Sequence, residues 1–144
     1  MLKKWWFWVI VIIVVFCVLA YIGKQPPSDL IDLPEEEYRA ECKVFLYEDI
    51  LRNPDTYNKE LAKFTGQVVQ VMHDGNDLRL RVNVTKTAYG YEDTIYVYYD
   101  KTNILEGDIV TIYGELRGLE TYESVSGVQI TIPRIYAKFI DINE

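Results

Sequence analysis

Residues 78–84 read LRLRVNV, a run in which leucine and valine alternate with arginine and asparagine. Successive side chains of a β-strand point to opposite faces of a sheet, so this alternation predicts a strand with one buried and one exposed face. The leucines and valines face the core, and three polar side chains face outward: Arg79, Arg81 and Asn83.

Four more segments have strand character: residues 63–72, 94–99, 108–116 and 128–142. Residues 74–77, DGND, predict the turn of a hairpin between 63–72 and LRLRVNV. The apolar positions of 63–72 change parity near Gly66, which predicts a bulge or bend at that glycine. Pro133 predicts an edge position or a bulge in the last strand.

One short helix precedes the strands. Residues 47–53, YEDILRN, carry acidic side chains in the first turn, Arg52 in the last turn and Pro54 directly afterwards. The connections between strands are too short for crossover helices, which argues against a parallel sheet. The sequence therefore predicts a mainly β fold, a small closed barrel of five strands with a short preceding helix.

Several segments resemble the tRNA-anticodon-like OB-fold domains of small bacterial exported or membrane-anchored proteins, most of unknown role. They are RNPDTYNKELAKFTGQVVQV at 52–71, LEGDIVTIYGELRG at 105–118 and VQITIPRIYAKFIDI at 128–142. The resemblance implies a five-stranded OB-fold Greek-key barrel over residues 41–144. The family's name points to nucleic acid, but the matching residues are architectural, and a fold alone does not establish a function.

The N-terminal segment has the character of a membrane anchor. Residues 5–23, from Trp5 to Gly23, contain no charged side chain, and a helix of that length spans about 28 Å. Lys3 and Lys4 precede it, which orients the N-terminus to the cytoplasm and the rest of the chain outside. We therefore expect one transmembrane helix in residues 1–24, an acidic spacer at 25–40 and the barrel at 41–144. The alternative is a secreted protein, cleaved near Ala20.

The binding site expected for such a barrel is the outer face of its second and third strands and their loops. Arginine beside tyrosine can stack on rings and bind phosphates or carboxylates. Residues 85–93 are either a binding loop or a plain exposed turn. The alternative for the strand positions is that they form cross-strand pairs on an exposed sheet. The candidate ligand-binding residues are Arg79, Arg81, Asn83, Tyr96, Tyr98, Tyr89 and Tyr91.

Composition narrows the function. The 22 acidic residues all lie at or after Asp29, which makes the outer region strongly acidic and nucleic acid an unlikely partner. Two cysteines and one histidine argue against a disulfide scaffold, a metal cluster and a hydrolase triad. We expect no catalytic residue, metal or cofactor.

The function expected from the sequence is thus a non-enzymatic binding module outside the membrane, with a protein or cell-envelope glycan as ligand. Two alternatives remain open. One is an oligonucleotide-binding OB domain. The other is a metal-assisted hydrolase that uses Asp74, Asp77 and Arg79.

Overall fold

The computed structural model describes residues 2–22 and 27–143, and within the first helix it describes the side chains of residues 4–17. Within these ranges, four helices precede five strands. The helices are α1 (Leu2–Ile22), α2 (Glu35–Glu41), α3 (Tyr47–Arg52) and α4 (Pro54–Tyr57). The strands are β1 (Leu61–Asp74), β2 (Asp77–Thr87), β3 (Gly90–Tyr99), β4 (Ile109–Glu123) and β5 (Gln129–Asn143).

The five strands close into a barrel in the order β1-β2-β3-β5-β4. All neighbours are antiparallel except β3 and β5, which pair in parallel at residues 96–98 and 134–136. Strand β1 closes the barrel by pairing with β4, from Leu61 opposite Glu115 to Gln67 opposite Ile109. This is an OB-like barrel, and the predicted mainly β fold with a short preceding helix is confirmed.

The alternation in LRLRVNV sorts the two faces of β2 as the sequence predicts. Leu78, Leu80 and Val82 are fully buried in the barrel core. Helix α3 coincides with the predicted helix, and its Ile50 packs into the same core. Each such side chain contributes about 1.5–3 kcal/mol when it is fully buried.

The bend in β1 lies three residues from its predicted place. The register with β2 shifts between Val68 and Gln70, so that Val69 is the extra residue and remains exposed. Gly66 has a different role, because a Cβ at that position would lie 2.1 Å from the backbone oxygen of Asn83. The sequence thus correctly indicated an irregularity in β1. Gly66 itself has another role, because β1 and β2 approach too closely there for any side chain.

Pro133 pairs with Leu119 in the β4–β5 ladder, and a register shift follows between Leu116 and Leu119. The irregularity that the proline predicts thus lies on the opposite strand, where Gly118 adopts a φ of +69°. Beyond it, β4 continues to Glu123, well past its predicted end, and forms a hairpin with the start of β5.

Residues 28–41 lie against the barrel and do not form the extended spacer expected at 25–40; we call them the N-terminal cover. Asp29 contacts Lys59 and Arg117, each at 3.1 Å. The amide of Ile31 donates to Glu115 Oε2 at 3.0 Å, and Lys138 pairs with Asp32. Two of the acidic residues that suggested a solvated spacer, Asp29 and Asp32, therefore have partners beyond the cover.

Helix α2 secures the C-terminal half of the N-terminal cover. Tyr38 is buried with its ring edge-to-face on Phe139, at a centroid distance of 5.6 Å. Arg39 forms an ion pair with Asp141 at 2.7 Å and lies over the rings of Tyr113 and Phe139. The cover thus combines apolar packing with ion pairs.

Among the residues that the structure describes, no helix combines the length and the hydropathy needed to cross a membrane. The end of the predicted anchor at Gly23, together with Lys24, Gln25 and Pro26, lies outside the described residues.

Candidate functional site

The outer face of β2 and β3 brings four of the predicted binding residues together. In the ladder, Arg79 lies opposite Tyr98, and Arg81 lies opposite Tyr96. All four side chains point away from the core, because their neighbours Leu80 and Val97 are buried inside the barrel. The period-two pattern of the sequence is sufficient to place this set.

The other three predicted residues have different surroundings. Asn83 is held within the hairpin, where it accepts from the Thr94 hydroxyl at 2.6 Å and donates to the Tyr91 carbonyl at 3.1 Å. Residues 85–93 extend the β2–β3 hairpin, with Gly90 opposite Thr87. Tyr89 lies fully exposed at its tip. The structure therefore does not bring Tyr89 to the face that carries Tyr96 and Tyr98.

Two further tyrosines join that face and produce a continuous row, Tyr122–Tyr96–Tyr98–Tyr136, which we call the tyrosine row. Consecutive ring centroids lie 6.1, 5.4 and 4.6 Å apart, and the last pair is stacked at 16°. The parallel pairing of β3 with β5 sets Tyr136 beside Tyr98. The β4–β5 hairpin brings Tyr122 beside Tyr96.

Arginines lie along the tyrosine row. The Arg79 guanidinium is 4.2 Å from the ring centroid of Tyr98, and that of Arg81 is 4.9 Å from the ring centroid of Tyr122. Arg79 pairs with Asp74 at 3.2 Å, whereas Arg81 donates to the Tyr122 hydroxyl at 2.8 Å. Within the described ranges, Arg81 has no carboxylate within 4 Å. Arg81 is thus the arginine of the row whose charge is not neutralised by an ion pair.

The pKa values of three phenols in the row, Tyr96, Tyr98 and Tyr136, lie above the ordinary value of 10. Burial raises the pKa of Tyr96, and burial with the nearby Glu120 carboxylate raises the pKa of Tyr98. Tyr98 donates its hydroxyl proton to Glu120 at 3.0 Å, and Arg134 pairs with the same carboxylate at 3.1 Å. Glu120 therefore fixes one side of the row.

A groove of about 680 Å³ opens at the Tyr122 end of the row. Its walls come from β1, β2, β3 and the tip of the β4–β5 hairpin, residues 122–126. Gln70 lines this groove, and its buried Oε1 has no hydrogen-bond partner among the described residues. The groove thus offers stacking surface, a cation and an unused acceptor in one place.

The residues considered for hydrolysis are not assembled into a metal centre in the part of the chain that the structure describes. No group of three or more histidine, cysteine or acidic side chains there has the arrangement needed to hold a metal ion. Asp74 is engaged by Arg79. The only resolved cysteine outside α1 is Cys42, and burial raises the pKa of its thiol to about 11.

The sequence reasoning missed half of the tyrosine row. Tyr136 alternates with Ile135 and Ala137, so the period of two could have placed it on the outer face. Tyr122 lies beyond the irregularity in β4, which shifts the alternation of inward and outward side chains. Nothing in the sequence shows which strand then lies beside it. Gln70 follows the bulge in β1, so the alternation in the sequence does not place its side chain either.

No family model and no curated protein matches the chain. Similar solved structures include a small single-stranded DNA-binding protein from Streptomyces coelicolor, 19% identical with a TM-score of 0.44, over 60% of this chain and 95% of that one. The mitochondrial single-stranded DNA-binding protein of S. cerevisiae is 13% identical with a TM-score of 0.38, over 59% and 95%.

A third similar structure is the aspartyl-tRNA synthetase of Entamoeba histolytica. It is 16% identical with a TM-score of 0.48, over 82% of this chain and only 24% of the synthetase. At these identities the likenesses concern the fold alone, and the OB-like assignment rests on the strand order of the barrel itself.

One prediction about partners is wrong. Net acidity suggested that nucleic acid is an unlikely partner, but that inference assumes that the charges are spread evenly over the surface of the protein. Net charge averages over the whole chain, whereas a binding face is local. Several acids, such as Asp29 and Asp32, are paired on the N-terminal cover, and Arg79 and Arg81 lie on the outer face of β2. Net charge is therefore no ground for excluding nucleic acid.

Proposed function

We propose that the tyrosine row and its arginines bind single-stranded nucleic acid. The observation that carries the proposal is the continuity of four tyrosine rings on one outer face, with the unpaired Arg81 beside them. Sequence-tolerant binding of single strands uses aromatic rings for stacking and cations for the backbone. The row provides both on the face that OB barrels commonly use.

The charges on the face predict moderate affinity. Asp74 and Glu120 already neutralise Arg79 and Arg134, so few cations are free to meet phosphates. If Arg81 contacts one phosphate, log K should fall with log salt with a slope of about −0.7. Stacking of bases on the tyrosines supplies the larger share of the binding free energy, about 1–3 kcal/mol for each base.

The decisive test is a titration of the full chain with a fluorescent single-stranded 15-mer at 50 mM and 150 mM salt. Tyr96→Ser with Tyr98→Ser should weaken binding at least ten-fold, by about 1.4 kcal/mol or more. The matched control is Tyr96→Phe with Tyr98→Phe, which keeps the rings and should bind nearly as the parent does. Thermal unfolding of each variant shows whether the barrel is intact.

A second pair of variants separates stacking from charge. Arg81→Ser should reduce the salt slope by about 0.7, the share of one phosphate contact. Arg52→Ser removes a charge from the exposed pair with Glu48 on α3 and should leave the slope unchanged. The proposal is overturned if no strand binds at 50 mM salt, or if the serine and phenylalanine variants bind equally.

The proposal includes binding without catalysis. Intact 15-mer after prolonged incubation with the protein and magnesium is the expected result. Shortened product that disappears in the Asp74→Asn variant would instead support the hydrolase.

Membrane attachment is a separate proposal, supported by the 19 uncharged residues from Trp5 to Gly23. The full chain should stay with membranes after carbonate extraction. A lysine in place of Ile13 should release it, because a central charge costs about 2.5–3.5 kcal/mol in insertion. A mature N-terminus at Tyr21 would favour secretion after cleavage near Ala20.

A further inference from the structure

A second cavity, of about 340 Å³, lies at the other end of the tyrosine row. Leu30, Ile31 and Asp32 of the N-terminal cover form one wall, and Tyr98 and Tyr136 form the side that it shares with the row. This volume is at the lower end of the range for small-molecule sites. The cavity is therefore large enough for one flat ring system that is turned out of a bound single strand.

The walls of this cavity combine ring faces with carboxylates. Asp77 and Asp100 line it, and neither forms an ion pair with any residue of the described chain. Its two cations are already engaged, Arg79 by Asp74 and Lys138 by Asp32. The uncompensated charge is therefore negative, which disfavours a phosphate and favours a group that donates N–H hydrogen bonds.

We propose that this cavity takes one unstacked nucleobase that carries an exocyclic amino group, such as cytosine or adenine. The inference rests on the proposed function, since the strand on the tyrosine row delivers the base. Tyr98 and Tyr136 supply the stacking surface, and the carboxylates of Asp77 and Asp100 accept from the amino group. Acidic side chains recognise the cytosine amino group in the same way elsewhere. Thymine and uracil present a carbonyl at that edge, which the carboxylates repel.

The contacts of the N-terminal cover keep this cavity in shape. The Ile31 amide is bound by Glu115 at 3.0 Å, and Asp32 is bound by Lys138. Neither contact uses Asp77 or Asp100. Replacement of these two acids should therefore change what the cavity recognises without detaching its wall.

The experiment compares oligo-dC with oligo-dT of 12 nucleotides on the full chain. The parent should bind oligo-dC about five-fold more tightly or better, the lower end of the discrimination that one good base contact provides. Asp77→Asn with Asp100→Asn should bring the ratio close to one, because the amides remove the carboxylate acceptors and no longer repel the thymine carbonyl. Asp55→Asn, at an exposed acid of α4, is the matched control and should keep the ratio.

Asp77 lies next to the β1–β2 turn, so Asp100→Asn alone is made as well and should lower the ratio by itself. Titration with free cytidine should shift the amide signals of Ile31 and Ala137, whereas thymidine should not. If both oligomers bind equally to the parent, or if the variants keep the preference, this inference is overturned while the proposed function stands. If neither oligomer binds, the proposed function fails, and the cytidine titration still decides whether the cavity binds a base.

Discussion

The side of the barrel under the N-terminal cover and the side that carries the tyrosine row use the same residue types differently. Under the cover, Glu115 is 1% exposed and Arg117 is 9% exposed, and they pair at 2.9 Å with Asp29 of the cover beside them. On the tyrosine row, the Arg81 guanidinium donates a hydrogen bond to the Tyr122 hydroxyl and forms no ion pair among the described residues. One side has its charges neutralised by the chain itself, and the other keeps a charge available for a partner.

Tyrosines show the same contrast. Tyr38 of the cover is 2% exposed and packs on Phe139, whereas the rings of Tyr96 and Tyr98 are only partly buried. A tyrosine that is fully enclosed contributes to folding, and one that remains half-exposed keeps a ring face for a ligand. Burial and pairing thus distinguish the structural face from the proposed binding face, which residue type does not.

The largest expected effect is the loss of the buried ion pair. Arg117→Ala leaves Glu115 buried without its partner and should lower the free energy of unfolding by about 3–5 kcal/mol. Urea denaturation followed by circular dichroism measures it. Arg52→Ala, in an exposed pair with Glu48, is the control and should cost less than about 0.5 kcal/mol. Equal losses in both variants would remove the distinction between the two sides.

The second effect concerns the buried tyrosine of the cover. Tyr38→Ala removes a ring enclosed against Phe139 and should cost about 3 kcal/mol in the same measurement. Tyr89→Ala, at the exposed tip of the β2–β3 hairpin, should leave the unfolding free energy nearly unchanged. A loss below 1 kcal/mol for Tyr38→Ala would show that the cover does not stabilise the barrel.

A smaller effect is expected for the arginine of the open side. Arg81→Ala loses one hydrogen bond to Tyr122 and one contact with its ring, and should lower the unfolding free energy by at most about 1 kcal/mol. Binding of the single-stranded 15-mer should weaken while the barrel remains folded. A stability loss as large as that of Arg117→Ala would assign Arg81 to the structural face.

The smallest effect is a loosening of the cover in acid. Hydrogen bonds from Lys59 and Lys138 lower the pKa values of Asp29 and Asp32 below the ordinary 3.8. A carboxylate whose pKa is lower in the folded state stabilises that state above the unfolded pKa, and the contribution is lost as the pH falls through the folded pKa. Both groups face water, so solvent screening keeps the effect small.

Hydrogen exchange at the Ile31 amide measures this loosening. Protection should decrease below about pH 4, and the double variant Asp29→Asn with Asp32→Asn should show reduced protection already at pH 7. The Val97 amide of the core is the internal control and should remain protected. Protection of Ile31 that is independent of pH in the parent would show that the two ion pairs do not hold the cover.

The sequence predicted most of the barrel because the period of two is a local property. The alternation in LRLRVNV (residues 78–84) and in TIYVYY (residues 94–99) shows which side chains of each strand point outward. The grouping of Arg79, Arg81, Tyr96 and Tyr98 therefore followed without knowledge of the fold. The bulge at Val69 was placed wrongly at Gly66, because a change in parity shows that a residue is extra but not which one. The cover was missed because Asp29 and Asp32 find partners on β4 and β5, far away in the sequence.

Composition and alternation by themselves determined a mainly β chain with five strands, a short preceding helix and one outer face with arginine beside tyrosine. Only the tertiary structure decided that Tyr122 and Tyr136 complete that face, and that Glu115 and Arg117 are enclosed by residues 28–41. The physical reason is that alternation is set by backbone geometry within each strand. Closure, bulges and ion pairs depend on which distant segments meet, and a local pattern does not carry that information.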